Sequence, residues 1–167
     1  MNNSKLKILF VCMGNICRSP MAAAVMRRRL SEVEADDRTY VDSAGTHGDY
    51  HAGEPPDPRA RLACAARGYS LDGMRARRIR AQDFAEFDLI LAMDRSNLAH
   101  LRRLCPEDHL HKLQLLLDYS RRWPGKDVPD PYNGGPERFE RVLDMIEEAT
   151  EGLLAAVQRG EQESPLP

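Results

Sequence analysis

The sequence predicts an α/β fold in which a parallel sheet forms the centre of a single domain. Four apolar or β-rich segments, at 7–11, 39–45, 87–93 and 110–117, alternate along the chain with segments of helical spacing. Strands that alternate with helices favour parallel pairing, because each helix carries the chain back to the start of the sheet. The 167 residues suffice for one full core. With no internal repeat, we expect one domain over residues 1–167, with its core at about 6–160.

The first strand, 7–11, leads through a short loop into a helical pattern at 21–30. Ser19 and Pro20 match a helix start, with a hydroxyl at the N-cap and a proline at the first helical position. Residues 12–18 therefore form a tight strand-to-helix loop whose backbone amides can point into one cavity. Such a cavity at a helix N-terminus binds anions, and the helix dipole assists.

The second strand, 39–45, ends in a long irregular connection at 46–58. Asp57 and Pro58 repeat the cap-then-proline signal, so a helix follows to Arg67 and stops at Gly68. A short helix is predicted at 82–86, before the third strand at 87–93.

A further helix follows the third strand, to about residue 104, and the fourth strand is predicted at 110–117. Pro136 opens the final helix, which ends at Gly160 and leaves 161–167 as a frayed tail. The core face of this helix recurs at helical spacing. It comprises Phe139, Val142, Leu143, Ile146, Ala149, Leu153 and Val157.

The loop at 12–18 begins with a thiol, Cys12, and ends with a guanidinium, Arg18. The positive end of a helix favours the thiolate form of a cysteine, which is a nucleophile. A guanidinium can hold two oxygens of a phosphate-like group in a fork. Ser19 can donate its hydroxyl to the thiolate, Gly14 allows an unusual backbone angle, and Asn15 tolerates the left-handed region. This context favours a nucleophilic site over the alternative of a cysteine that is only a small packed side chain.

Three further residues have two open interpretations each. Asp94, after the third strand, is either a simple N-cap or faces the site, since ligands gather at the carboxyl ends of parallel strands. Asp130, between two prolines, is either a general acid on a rigid loop or an ordinary turn aspartate. Tyr50 is either part of a functional loop or packed locally on the surface.

Cys12-Met13-Gly14-Asn15-Ile16-Cys17-Arg18-Ser19-Pro20 strongly resembles the phosphate loop of the low-molecular-weight protein tyrosine phosphatases. Asp130-Pro131-Tyr132 matches the late segment that carries the general acid in that family. Asp42-Ser43-Ala44-Gly45-Thr46 resembles the segment in which a serine bonds the phosphate-loop asparagine. The runs at 55–59 and 92–97 also resemble the family, and the resemblance spans about 6–157.

The resemblance implies a four-stranded parallel sheet flanked by helices on both faces. It also implies hydrolysis of phosphotyrosine proteins or aryl phosphates, with no metal and no cofactor. Cys12 would be the nucleophile, Arg18 would bind the phosphate, and Asp130 would be the general acid and base. Phosphate and substrate would contact Met13, Gly14, Asn15, Ile16, Cys17, Ser19, Tyr50 and Tyr132. Ser43 would support Asn15, and Asp94 would orient Arg18.

One position departs from the family pattern, and one carries a second hypothesis. Many members have two aromatic residues after the Asp-Pro pair, whereas here Tyr132 is followed by Asn133. In the family, a cysteine near the nucleophile can pair with it and protect it from overoxidation. Cys17 fits that redox role with Cys12, or it is a small packed side chain.

Two other functions remain open from the residues. An arsenate reductase shares this fold and loop but needs two further cysteines to relay a disulfide, and Cys64 and Cys105 are far apart in sequence. A non-catalytic phosphoprotein-binding module would need neither Cys12 nor Asp130. A nucleotide-binding P-loop is excluded, because no Gly-Lys-Ser/Thr follows the loop.

Composition limits the partners. The net charge of −2 gives no global attraction to nucleic acid, and no stretch has the apolar length of a membrane helix. The N-terminal apolar run leads straight into the site, so it is not a signal peptide. The cysteine and histidine spacings match no zinc pattern. We expect a cytoplasmic protein that is a monomer or a weak dimer.

Overall fold

A computed structural model describes residues 5–160, and the tail predicted at 161–167 lies outside the described residues. Its centre is a four-stranded sheet in the order β2-β1-β3-β4, with every neighbouring pair parallel. The strands are β1 (Leu6–Cys12), β2 (Thr39–Gly45), β3 (Leu89–Ala92) and β4 (Leu113–Leu115). The parallel α/β fold predicted from the alternation of elements is confirmed.

Helices cover both faces of the sheet. They are α1 (Arg18–Glu32), α2 (Pro58–Ala66), α3 (Ala81–Glu86), α4 (Arg95–Leu104) and α5 (Pro136–Gln158). Alternate residues of β1 point to opposite faces. Ile8 and Phe10 accordingly belong to the core shared with α1, α2 and α5, whereas Leu9 and Val11 pack with α3 and α4.

The predicted helix starts at Pro58 and Pro136 are confirmed. Asp57 caps α2, because its carboxylate accepts a hydrogen bond of 2.8 Å from the backbone N–H of Arg59. Gly68 follows the end of this helix with φ of +86°. The predicted core face of α5 is buried from Phe139 to Leu153, and Val157 is half-buried.

The fourth strand predicted at 110–117 is wrong in its extent, because only residues 113–115 pair with β3. Short 3₁₀ helices occupy Glu107–Lys112 and Leu116–Tyr119 on either side. Leu110 is 39% exposed, so it does not belong to the sheet. The carboxylate of Asp118 accepts a hydrogen bond from the backbone N–H of Leu115 at 3.1 Å, which ends the strand in a turn.

The predicted N-cap at Ser19 is also wrong. Helix α1 begins at Arg18, with Cys17 at the cap position and no side-chain capping bond. Ser19 lies inside the first turn, fully buried, and its hydroxyl turns toward Cys12 instead. The residue that resembled a helix cap is therefore part of the site.

The order of the strands determines where a ligand can bind. The chain leaves β1 toward β2 on one side and later returns to β3 on the other. In open α/β sheets, ligands bind beyond the carboxyl ends of the strands at this switch point. Cys12 is the last residue of β1 and lies at that point.

Candidate active site

The loop after β1 is held by backbone hydrogen bonds to two other segments. The carbonyl of Cys12 accepts from the N–H of Thr46 at 2.9 Å, and that of Met13 accepts from His47 at 2.8 Å. The carbonyl of Ile16 accepts from the N–H of Asp57 at 2.8 Å. These bonds fix the loop from both sides.

The Cys12 thiol lies at the base of this loop and is 3% exposed. Its sulfur is 3.0 Å from the Ser19 hydroxyl oxygen. A hydroxyl at this distance can donate to a thiolate, as the sequence predicts for Ser19. The structure thus brings the predicted nucleophile and its hydrogen-bond partner together at the start of helix α1, whose amides carry partial positive charge.

Asn15 connects the loop to β2 and to the segment before α3. Its side-chain amide donates to Ser19 Oγ at 2.8 Å and to Ser43 Oγ at 2.9 Å. Its carbonyl oxygen accepts from the backbone N–H of Arg77 at 2.9 Å. With φ of 59°, Asn15 adopts the left-handed conformation that the sequence suggests.

Gly14 differs from its prediction. It is not among the described glycines that adopt a positive φ, so its backbone angle is not the reason for glycine here. A side chain at this position would instead approach the His51 ring, whose Cδ2 would lie 3.2 Å from the added Cβ. Glycine leaves room for the wall of the cavity.

Arg18 is almost completely buried, with 3% exposed. Its Nη1 donates to Asp94 Oδ2 at 2.6 Å and to the carbonyl of Val128 at 2.9 Å. Burial disfavours the charge on Arg18, but the Cys12 sulfur and the Asp94 carboxylate outweigh burial and raise the pKa of the guanidinium. Arg18 is therefore a fixed positive charge beside the thiol.

Both interpretations of Asp94 hold at once. Its Oδ1 accepts from the backbone N–H of Asn97 at 2.7 Å and so caps α4, while Oδ2 holds Arg18. One carboxylate thus fixes the guanidinium to the end of β3.

A cavity of about 150 Å³ opens above the loop. Its floor and walls comprise Cys12, Met13, Gly14, Ile16, Cys17, Arg18, Tyr50, His51, Asp130 and Tyr132. Tyr50 and Tyr132 are 70% and 46% exposed, so both rings stand at the mouth. Asp130 is half-exposed, and its Oδ2 lies 4.0 Å from Arg18 Nη2. Asn15 and Ser19, which were also predicted to contact phosphate or substrate, do not line this cavity.

Cys17 lines the same cavity and is buried. Burial raises the pKa of its thiol, and the nearby Asp57 carboxylate adds to the effect. Cys17 is therefore a protonated thiol at neutral pH. All four cysteines are free thiols, so its pairing with Cys12 stays a prediction.

Sequence reasoning missed several groups that shape the site. Arg18 donates to the carbonyl of Val128, and Asn15 accepts from the backbone N–H of Arg77. Both partners are backbone groups, which every residue has, so the sequence does not reveal them. The basic run at 75–80 is typical in sequence of a solvated connection between elements. In the structure, Arg77 instead pairs with the buried Asp83 at 3.0 Å and with Asp42 at 3.2 Å.

Residues 5–160 contain no cluster of three or more His, Cys, Asp or Glu side chains placed to hold a metal ion. Within the same range, no helix has the length and apolar character to cross a membrane.

Comparison with known proteins identifies relatives along almost the whole chain. Residues 7–163 match the family model described as low molecular weight phosphotyrosine protein phosphatase. A low molecular weight protein-tyrosine-phosphatase of Streptomyces coelicolor is 46% identical over 155 residues, covering 91% of this chain and 93% of the relative.

Solved structures agree with this match. The crystal structure of a protein tyrosine phosphatase from Entamoeba histolytica, with Hepes in the active site, superposes with a TM-score of 0.90 at 40% identity. The superposition covers 93% of this chain and 99% of the Entamoeba histolytica chain. Vibrio vulnificus Wzb in complex with benzylphosphonate has a TM-score of 0.79 at 27% identity, covering 90% and 97%.

The fold, the loop and these matches define a class: the protein is a single-domain α/β phosphatase. The chain belongs to the low-molecular-weight phosphotyrosine protein phosphatase family.

Proposed function

We propose that this phosphatase hydrolyses phosphotyrosine in proteins, and aryl phosphates, through a phosphocysteine on Cys12. The observation that carries the proposal is the buried Cys12 sulfur at the floor of a narrow cavity, beside Arg18 and below two tyrosines. A phenyl ring held between Tyr50 and Tyr132 would place its phosphate on the loop. The shorter side chain of phosphoserine would not reach the sulfur.

In the first step, the Cys12 thiolate attacks phosphorus in line with the leaving oxygen. The S–P bond forms as the P–O bond to the phenol breaks, and Asp130 transfers its proton to the departing phenolate. Arg18 and the loop amides stabilise the charge on the equatorial oxygens. The support for this assignment of Arg18 is its fixed position between Asp94 and Val128.

In the second step, Asp130 acts as a base and takes a proton from water, which attacks the phosphocysteine. The S–P bond breaks, inorganic phosphate leaves, and the sulfur departs as a thiolate that accepts a hydrogen bond from Ser19. Asn15 and Ser43 would keep the loop in shape throughout. In this mechanism the guanidinium and amides supply the positive charge, so we propose catalysis without metal or cofactor.

A solved relative binds benzylphosphonate, a phenyl ring one carbon away from a phosphonate, and this supports an aryl substrate here. The arsenate reductase alternative is weaker. It needs cysteines that can relay a disulfide, whereas Cys64 is completely buried in the core. We also propose a cytoplasmic location and a monomer or weak dimer, neither of which the mechanism requires.

The test is hydrolysis of para-nitrophenyl phosphate with a chelator present, by the wild type, Cys12→Ser and Asp130→Ala. We expect activity in the wild type, near-complete loss in Cys12→Ser, and a loss of about 10²-fold in Asp130→Ala, the low end of a general acid's usual contribution because para-nitrophenol is a good leaving group. Activity that needs a metal or survives Cys12→Ser would contradict the mechanism. A silent wild type that still binds vanadate would favour the phosphoprotein-binding module.

A further inference from the structure

Arg59, in the first turn of α2, is fixed by a carboxylate beside the phosphate loop. Its Nε donates to Asp57 Oδ1 at 3.1 Å, and its Nη2 donates to Asp57 Oδ2 at 2.9 Å. This two-pronged pair fixes the plane of the guanidinium as well as its position. The hydrogen bonds from Arg59 lower the pKa of Asp57, so the pair stays ionised at neutral pH.

The remaining face of Arg59 contacts the segment that carries Asp130. Its Nη1 donates to the carbonyl of Gly134 at 2.8 Å. The guanidinium also lies 5.5 Å from the centre of the Tyr132 ring and 4.7 Å from that of Phe139, at the start of α5. Arg59 thus holds residues 130–135, called the acid loop below, through a hydrogen bond and an aromatic stack.

The other end of this connection is the phosphate loop itself. The backbone N–H of Asp57 donates to the carbonyl of Ile16 at 2.8 Å. A continuous set of contacts therefore runs from the phosphate loop through Asp57 and Arg59 to the acid loop. Arg59 does not line the cavity, so it cannot act on the substrate directly.

Asp130 depends on its own loop for its position. Its carboxyl is 49% exposed, lies 4.0 Å from the Arg18 guanidinium, and accepts one hydrogen bond of 3.1 Å from the backbone of Tyr132. A half-exposed acid with such loose contacts is placed chiefly by the backbone that carries it. Before Asp130, that backbone is attached through Val128, which bonds Arg18 and Met93. After Asp130, it is attached to the phosphate-loop side of the site through Arg59.

We propose that Arg59 is a positioning residue: with Asp57 it fixes the acid loop relative to the phosphate loop and so places the Asp130 proton at the leaving oxygen. The proposal rests on the proposed function, since it requires Asp130 to be the general acid. A purely structural Arg59 would stabilise α2 and α5 without affecting proton transfer, and kinetics can separate the two roles.

The test compares aryl phosphates whose leaving groups range from good, para-nitrophenol, to poor, phenol and tyrosine. Poor leaving groups need the proton most, so misplacing the acid slows them selectively. We expect kcat/KM of Arg59→Ala to fall about tenfold or more for phenyl phosphate and much less for para-nitrophenyl phosphate. Arg59→Lys keeps the positive charge but cannot form the two-pronged pair with Asp57, so its loss in kcat/KM for phenyl phosphate should be intermediate.

Arg61→Ala is the matched control, because Arg61 lies on the same helix and pairs with the exposed Asp72 at 3.4 Å. We expect it to follow the wild type across the series. Thermal unfolding of each variant should be measured to check that the variant is folded at the assay temperature. If Arg59→Ala does not fold, Arg59→Lys alone must show the selective loss on poor leaving groups.

A double-mutant cycle completes the test. In the Asp130→Ala background no acid is left to position, so Arg59→Ala should cause no further loss that depends on the leaving group. Equal losses across the series, full additivity with Asp130→Ala, or the same pattern in Arg61→Ala would overturn the proposal. If Asp130→Ala has the same dependence of kcat/KM on the leaving group as the wild type, Asp130 is not the general acid. The proposed role of Arg59, which requires that assignment, is then also wrong.

Discussion

Ser19 contacts the other residues of the site through its hydroxyl oxygen. That oxygen lies 3.0 Å from the Cys12 sulfur and accepts a hydrogen bond from Asn15, so its own hydrogen can be donated to the sulfur or to the more distant carbonyl of Ala44, at 3.4 Å. The amide of Asn15 occupies an acceptor site of the Ser19 oxygen and so leaves the hydroxyl to act as a donor. This explains why a serine that resembles a helix cap does not act as one.

Replacing Ser19 with alanine should slow the second step of the proposed reaction, because the sulfur would leave as an anion without its hydrogen-bond donor. A hydrogen bond to a charged group contributes about 1.5–3 kcal/mol, which corresponds to roughly 10- to 160-fold in rate. Rapid-mixing measurements with para-nitrophenyl phosphate should show a burst of nitrophenol followed by a slower steady state. An unchanged steady-state rate with no larger burst would contradict this role.

At the scale of elements, β2 approaches the phosphate loop so closely that its last residue must be glycine. A Cβ added at Gly45 would lie 2.6 Å from the carbonyl oxygen of Met13 and 3.1 Å from the backbone nitrogen of Asn15. Both atoms belong to the backbone of the loop, so neither can move aside without reshaping the site.

Gly45→Ala should therefore lower both stability, by about 1–3 kcal/mol as for an overpacked core, and kcat. Gly73→Ala is the control, because Gly73 has φ of +82° but no atom within 4 Å of an added Cβ. It should lower stability through backbone strain and leave kcat unchanged. Chemical denaturation and steady-state kinetics measure the two effects, and a fully active Gly45→Ala would refute the close contact.

The segment before α3 is held by Asp83, whose carboxylate is completely buried. It accepts from Arg77 at 3.0 Å and from the backbone N–H of Arg80 at 2.7 Å. Asp83→Ala should lower the free energy of unfolding by about 2 kcal/mol. This is less than the ~3–5 kcal/mol for removing one partner of a fully buried ion pair, because Arg77 would still pair with Asp42. Urea denaturation measures this, with the exposed Asp72→Ala expected to change little.

Local signals in the sequence predicted most elements, and long-range contacts account for the errors. The bounds of β2 and the proline starts of α2 and α5 agree with the structure because each depends on residues close in sequence. The strand predicted at 110–117 was too long, since leucines along that run suit a strand, a 3₁₀ turn or a core contact equally. Arg77 was missed because its partners Asp42 and Asn15 are distant in sequence.

On the scale of the whole molecule, pH should affect stability through His100 on α4. Burial lowers the pKa of His100 below its ordinary 6.5. Three cationic or titratable neighbours act in the same direction: His47, Arg103 and Arg78. As the pH falls through about 6.5, the unfolded chain therefore takes up this proton before the folded chain does, and the folded state loses stability.

The melting temperature of the wild type should thus fall between about pH 7 and pH 5 by more than that of His100→Gln, which carries no titratable group there. Buffers of equal ionic strength keep screening constant across the series. Parallel curves for the two proteins would show that His100 does not contribute to this pH dependence.

The depth of Cys12 also determines which chemical reagents can reach it. Cys12 is 3% exposed and lines a cavity of about 150 Å³ whose walls include Tyr50 and Tyr132. We therefore expect small anions such as vanadate or iodoacetate to reach Cys12 and bulky alkylating agents to be excluded. Covalent inhibitors of this enzyme would need a flat aryl stem with a small electrophile at its tip.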